Sequence, residues 1–103
     1  MNKYLLHGKL TAQSEHGEEL TSILLEASKL ISTAQGCILY VIGKDKDDDD
    51  SVWITEIWDS KEDHDNSLKV DGVKELISKA IPILAGPPQK GQELQLLGGK
   101  GID

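Results

Sequence analysis

The most restrictive feature of this chain is a single apolar stripe. Leu20, Ile23, Leu24, Ala27, Leu30, Ile31 and Ala34 recur at intervals of three and four residues, the repeat of one face of an α-helix. Glu15, Glu18 and Glu19 open the segment, where negative charge suits the positive end of the helix dipole, and Gly36 supplies a stop. A helix this one-sided needs an apolar surface to lie on. The next two segments can provide it: CILYVIG, residues 37–43, and SVWITEIW, residues 51–58, are rich in β-branched and aromatic residues and read as strands.

The remaining segments complete an alternating order. YLLHGKLTA, residues 4–12, is short, mixed in polarity and free of proline, and reads as a first strand. Ser60 can cap a short polar helix reaching about Leu68, with Asp63 three residues on as a partial capping box. Val73, Leu76, Ile77, Ala80, Ile81 and Leu84 return to helical spacing until Pro82 kinks or ends that helix, and AGPP, residues 85–88, marks a break. A last strand falls around residues 93–97. The order β-α-β-β-α-β, its second helical region split in two, predicts a ferredoxin-like α+β fold, an antiparallel four-stranded sheet with helices on one face. Residues 1–97 are expected to form one domain and residues 98–103, GGKGID, a flexible tail.

The run between the two central strands raises a separate question. From Asp45 it places acids at Asp45, Asp47, Asp49 and, twelfth in line, Glu56, the pattern of a calcium-binding EF-hand loop. That loop needs a helix on each side and a glycine at its sixth position, yet Asp50 stands there and both flanks are strand-like. The stretch reads instead as a solvated hairpin connection whose charges keep a sheet corner from pairing with neighbours, with no more than weak divalent-cation binding.

Charge and cysteine usage narrow the function classes. A formal charge of −7 argues against nucleic acid and anionic membranes, both of which need basic patches. The lone Cys37 cannot form an internal disulfide, no apolar run approaches the ~20 residues of a membrane span, and MNKYLLHGK lacks a secretion signal, so a cytoplasmic location is expected. No nucleotide-binding glycine motif is present, and the three histidines and Cys37 lack the spacing of a zinc site. A domain of 103 residues with four aromatic residues has a modest core, which favours completing burial in a homodimer.

Alternation along the third strand puts Val52, Ile54, Glu56 and Trp58 on one face and Trp53, Thr55 and Ile57 on the other. Glu56 is out of place on an apolar face, because a buried carboxylate is costly without a partner. It is either one half of a structural salt bridge, with a lysine or with a second subunit, or a base with a raised pKa. Trp58 is either a core filler or a flat surface for an aromatic ligand. His64, one turn before Leu68, either points into a pocket mouth as a general base or lies exposed among Asp63 and Asp65. His7 belongs to the opposite face of the sheet, His16 reads as structural, and Cys37 as a buried strand thiol.

Taken in order, the polar turn with Gly17 and acids opening the first helix, the Gly36–Cys37 start of the second strand, and Glu56-x-Trp58 before an acidic helix start resemble the antibiotic biosynthesis monooxygenase-type domain, over about residues 4–97. The resemblance implies a dimeric α+β barrel of two ferredoxin-like protomers paired sheet to sheet, each with its own pocket between sheet and helices. Some members oxidise quinols or polycyclic phenols with no metal, flavin or nicotinamide; others degrade haem or handle small signalling molecules. Trp58 matches the pocket tryptophan of the phenol-oxidising members. Ile54 stands where those members carry an asparagine, and it cannot hydrogen-bond a phenolate. The haem-degrading branch is a poorer match, since Gly8 replaces its first-strand asparagine and Ser67 and Gly72 stand where its histidines fall. The resemblance thus implies a cofactor-independent monooxygenase on a small aromatic or quinol-type molecule, with Glu56 or His64 as proton acceptor and Trp58 and Ile54 at the substrate. The other reading is a non-catalytic, ligand-binding dimer of the same fold.

Overall fold

A computed structural model describes residues 3–87 and 91–102 of the chain. Met1, Asn2, Gln89, Lys90, Asp103 and Pro88, the last residue of the expected AGPP break, lie outside the described residues. The elements run β1 (Lys3–Thr11), α1 (Gly17–Ile31), β2 (Cys37–Lys44), β3 (Ser51–Trp58), α2 (Lys61–Ser67), α3 (Val73–Ala80), a 3₁₀ turn (Ile81–Ile83) and β4 (Gln92–Leu96). The strands form one antiparallel sheet in the order β2-β3-β1-β4. This is the ferredoxin-like α+β arrangement, with α1 and α3 packed side by side on one face.

The apolar stripe builds α1 as expected, and Leu20, Ile23, Leu24, Ala27 and Ile31 are all buried. Each aliphatic side chain so buried contributes about 1.5–3 kcal/mol, well above the fraction of a kcal/mol per residue that helix propensity supplies. Packing therefore holds this helix. It stops short of Ala34, however. Ser32 and Thr33 turn their hydroxyls back onto the carbonyls of Lys29 and Leu30, at 3.0 and 2.7 Å, and the backbone closes with shorter turns. The capping of α2 by Ser60 is confirmed: its Oγ accepts from the Asp63 amide at 3.1 Å. Helix α3 ends at Ala80, and Pro82 sits in the 3₁₀ turn that follows.

The two faces of the sheet differ. Val52 and Trp58 of β3 are fully buried beneath the helices, in a core with Leu20, Leu24, Val73 and Leu76. On the opposite face Leu39, Ile57, Leu5 and Leu94 stand side by side across all four strands. His7 is on that face too, stacked on Trp53 with ring centroids 4.9 Å apart.

The acidic connection is a hairpin turn in which the carboxylates of Asp45 and Asp48 have local partners. Asp45 accepts from the Asp47 amide and from Trp53 Nε1, both at 2.9 Å, and Asp48 accepts from the Asp50 amide and from Ser51 Oγ. Asp50 reaches further. Helix α1 begins without a side-chain cap from His16, and Asp50 Oδ1 instead accepts from the Gly17 amide at 3.1 Å.

Candidate functional site

Strand pairing brings the site together around Glu56. In register it lies between Leu6 of β1 and Tyr40 of β2, on the helix-covered face, and only 7% of it is exposed. Its Oε1 accepts from Trp58 Nε1 at 3.0 Å and lies 3.6 Å from Nε2 of His64. Burial pushes the Glu56 carboxyl above its ordinary range, and this outweighs the Trp58 hydrogen bond and the nearby His64, which both favour the ionised form. The partner of this buried acid is therefore a histidine and an indole of its own chain.

Helix α2 delivers His64. Its approach to the sheet depends on Gly36, which has φ +83° and sits so close to the Asp63 carboxylate that a Cβ would collide with it. His64 Nδ1 lies 3.0 Å from Asp65 Oδ1, and Lys61 donates to Asp65 Oδ2 at 3.2 Å. The His64 hydrogen bond, with that of Lys61, holds the Asp65 carboxyl below its usual range. An ionised Asp65 accepts the proton on Nδ1, and this contact turns Nε2 of His64 toward Glu56. Tyr4 and Trp58 pack on the imidazole ring at 5.6 and 5.8 Å between centroids, Trp58 edge-on. His64 is thus half-buried rather than exposed, its side chain 18% accessible.

Glu56 also borders a small cavity of about 120 Å³, together with Leu6, Gly8, Lys9, Leu10, Ile54 and Gly91. The missing side chain at Gly8 helps make the room: a Cβ there would meet Gly91 Cα at 3.1 Å. Glu56 accordingly faces a cavity and contacts His64 at once. Of the four residues singled out from the sequence, Ile54 and Glu56 line this space, while Trp58 and His64 lie against Glu56 instead. Trp58 has no exposed surface, and its N–H is engaged by Glu56.

Sequence reasoning missed Tyr40 and Asp65. Burial and the Glu56 charge push the Tyr40 phenol far up, so it stays protonated beside the carboxylate. The hairpin register could have found it: with Lys44 opposite Val52, Tyr40 falls opposite Glu56. Asp65 carried a weaker signal, adjacency to His64. Cys37 is not activated, since burial pushes its thiol up. Among the described residues no cluster of three or more His, Cys, Asp or Glu is placed to hold a metal ion, and no helix is long and apolar enough to cross a membrane.

Comparison with known proteins agrees with this picture of the fold. Residues 3–79 match the family described as antibiotic biosynthesis monooxygenase. A proposed antibiotic biosynthesis monooxygenase from Chloroflexus aurantiacus is 37% identical, with 98% of this chain and 99% of that one aligned and a TM-score of 0.85. Proteins given the same description from Deinococcus radiodurans (24% identity, 97% and 96% covered, TM-score 0.72) and Nitrosomonas europaea (13%, 92% and 90%, 0.85) share the fold. No curated protein matches the sequence.

Proposed function

The chain belongs to the antibiotic biosynthesis monooxygenase family, and from that premise we propose that it is a cofactor-independent monooxygenase of small phenols or quinols in which Glu56 accepts the substrate proton. One observation carries the reading: a buried carboxylate of raised pKa lies on the wall of a cavity and against a histidine that reaches the surface. Burial makes Glu56 a better base, which narrows the gap to a phenol pKa of about 10. Its Oε1 is engaged by Trp58 and His64, so Oε2 is the oxygen for the incoming hydroxyl.

In this chemistry the phenolate supplies electrons to dioxygen, and a carbon–oxygen bond forms at a ring carbon that carries hydrogen. Glu56 returns its proton to the distal peroxide oxygen. The O–O bond then breaks, the ring hydrogen leaves with the departing hydroxide as water, and a quinone remains with one oxygen atom retained. His64 offers Nε2 as the next proton station and Asp65 keeps it oriented. Trp58 is a positioning residue that fixes Oε1. Ile54 gives the phenolate no hydrogen bond, so the balance of charge in the site falls to Glu56 and His64.

The working unit in this proposal is a homodimer formed through the open sheet face. The Leu39–Ile57–Leu5–Leu94 row supports it, with Val41 and Leu94 about half exposed in the single chain. Leu94→Arg is expected to halve the mass measured by light scattering. A cytoplasmic location fits the single free thiol. The deciding experiment is oxygen consumption against quinols and polycyclic phenols, with chelator and added metal as paired controls. Uptake that survives chelation is the expected result; no uptake across the panel overturns the reading.

A further inference from the structure

A second cavity lies on the same side of the sheet, between α1 and α3. It measures about 180 Å³, and no polar surface faces it: Leu10 of β1 meets Leu24 and Ala27 of α1, Leu76 and Ala80 of α3, and Leu84. Leu10 also lines the cavity at Glu56. It is only partly buried and packs against the edge of the core rather than within it. Neither space alone reaches the ~300 Å³ of an ordinary small-molecule site, and joined through Leu10 they come to it.

We propose that Leu10 partitions one bipartite site, and that the ligand of the Glu56 cavity carries a compact apolar substituent, a short alkyl chain or fused ring, which occupies the chamber between α1 and α3. This rests on the reading of the Glu56 cavity as the ligand site. The chemistry of the two chambers differs in the way such a ligand requires. One has a carboxylate on its wall and takes the hydroxyl. The other offers water no hydrogen-bonding partner and is the kind of space that stays dry and accepts hydrocarbon. A rotamer change at Leu10 opens one chamber to the other, which a leucine near the core edge accomplishes without moving the backbone. The size of Leu10 then sets which substituents pass.

The test is a series of 2-alkylhydroquinones, methyl to heptyl, with binding followed by tryptophan quenching and oxygen uptake measured in parallel. Each methylene that enters is expected to tighten binding about threefold to fourfold, until the chamber is full and the gain stops. Ala80→Leu fills the chamber and should flatten the series while methylhydroquinone keeps its affinity within about twofold. Ile77→Trp blocks the same space from the exposed rim of α3, should leucine at position 80 prevent folding. Leu10→Ala should extend the rising part of the series to longer chains. A flat series in the natural protein, or one that survives both blocking variants, overturns the proposal. Chain-length-dependent binding without oxygen uptake would sink the oxygenase reading and leave the bipartite site standing. Uptake with a flat series would do the reverse.

Discussion

Asp45 and Asp48 at the hairpin tip and Glu56 further along the same hairpin are chemically near-identical acids in opposite circumstances. Trp53 Nε1, first among its partners, lowers the Asp45 carboxyl, and Ser51 Oγ does the same for Asp48. Both are turned to solvent and satisfied by donors of their own loop. Glu56 has burial working against its charge, and two partners that offset only part of that cost. The tip holds most of the hairpin's negative charge, and Glu56 is the acid whose ionisation burial opposes. Density of charge in a sequence is thus a poor guide to chemistry; what matters is where desolvation acts.

The sharpest way to break this contrast is to neutralise one acid from each set. Glu56→Gln keeps an oxygen for Trp58 Nε1 and removes the proposed base. Oxygen uptake with the best quinol of the panel should fall about 10²- to 10⁴-fold, the usual span for a lost general base. Asp48→Asn should leave it unchanged. Equal losses in the two variants would mean that Glu56 is merely another structural carboxylate.

The tip has a structural duty that the buried acid lacks, and it gives the next largest effect. A Cβ on Gly17 would run into the Asp49 carbonyl oxygen and come within 2.9 Å of Asp50 Cα. Gly17→Ala should therefore cost about 1–3 kcal/mol in urea unfolding, the usual range for overpacking. Asp50→Ala, which strips the bond to the Gly17 amide, should cost about 1 kcal/mol as a lost helix cap. If neither variant lowers the unfolding midpoint, the tip and the start of α1 are independent.

Smaller shifts distinguish the two sets by sign. Glu56 binds its proton more tightly folded than unfolded, so its burial costs stability as pH rises from 4.5 through the raised folded value. Glu56→Gln should raise Tm at pH 7, and the gain should vanish below pH 4.5, where the acid is protonated in both states. Asp45 is the reverse: its folded pKa lies below 3.8, so it stabilises above that pH and the benefit is lost as pH falls further. Asp45→Asn should lower Tm slightly at pH 7 and not at all in strong acid. Shifts of the same sign in both variants would contradict the assigned environments.

Much of the fold was legible because the periods were strong. The stripe from Leu20 to Ile31 could be nothing but an amphipathic helix, and the run Ser51–Trp58 fixed both faces of β3. The limits came where side chains compete with the backbone: Ala34 fits the stripe, yet the hydroxyls of Ser32 and Thr33 end α1 before it. Within the site, Glu56, Trp58 and His64 were visible singly. Their meeting was not, because it depends on α2 descending onto the sheet, and that descent rests on the left-handed Gly36 and its contact with Asp63. The Leu10 cavity left no sequence signal at all, since it arises from the spacing between α1 and α3.

The smallest expected effect concerns calcium at the acidic tip. A cation binding there would have to displace the donors that Asp45 and Asp48 already accept, the amides of Asp47 and Asp50, Ser51 Oγ and Trp53 Nε1. A sensor-grade site, with Kd near 10⁻⁵ M, would at 1 mM calcium add about 2.7 kcal/mol of stability, or more than 10 °C in Tm for a domain of this size. The expected rise is under about 1 °C, no larger than the response to the same ionic strength of sodium chloride. A rise of several degrees specific to calcium would mean that the loop releases its internal hydrogen bonds to a metal, and the contrast between a self-satisfied tip and a buried acid short of partners would no longer hold.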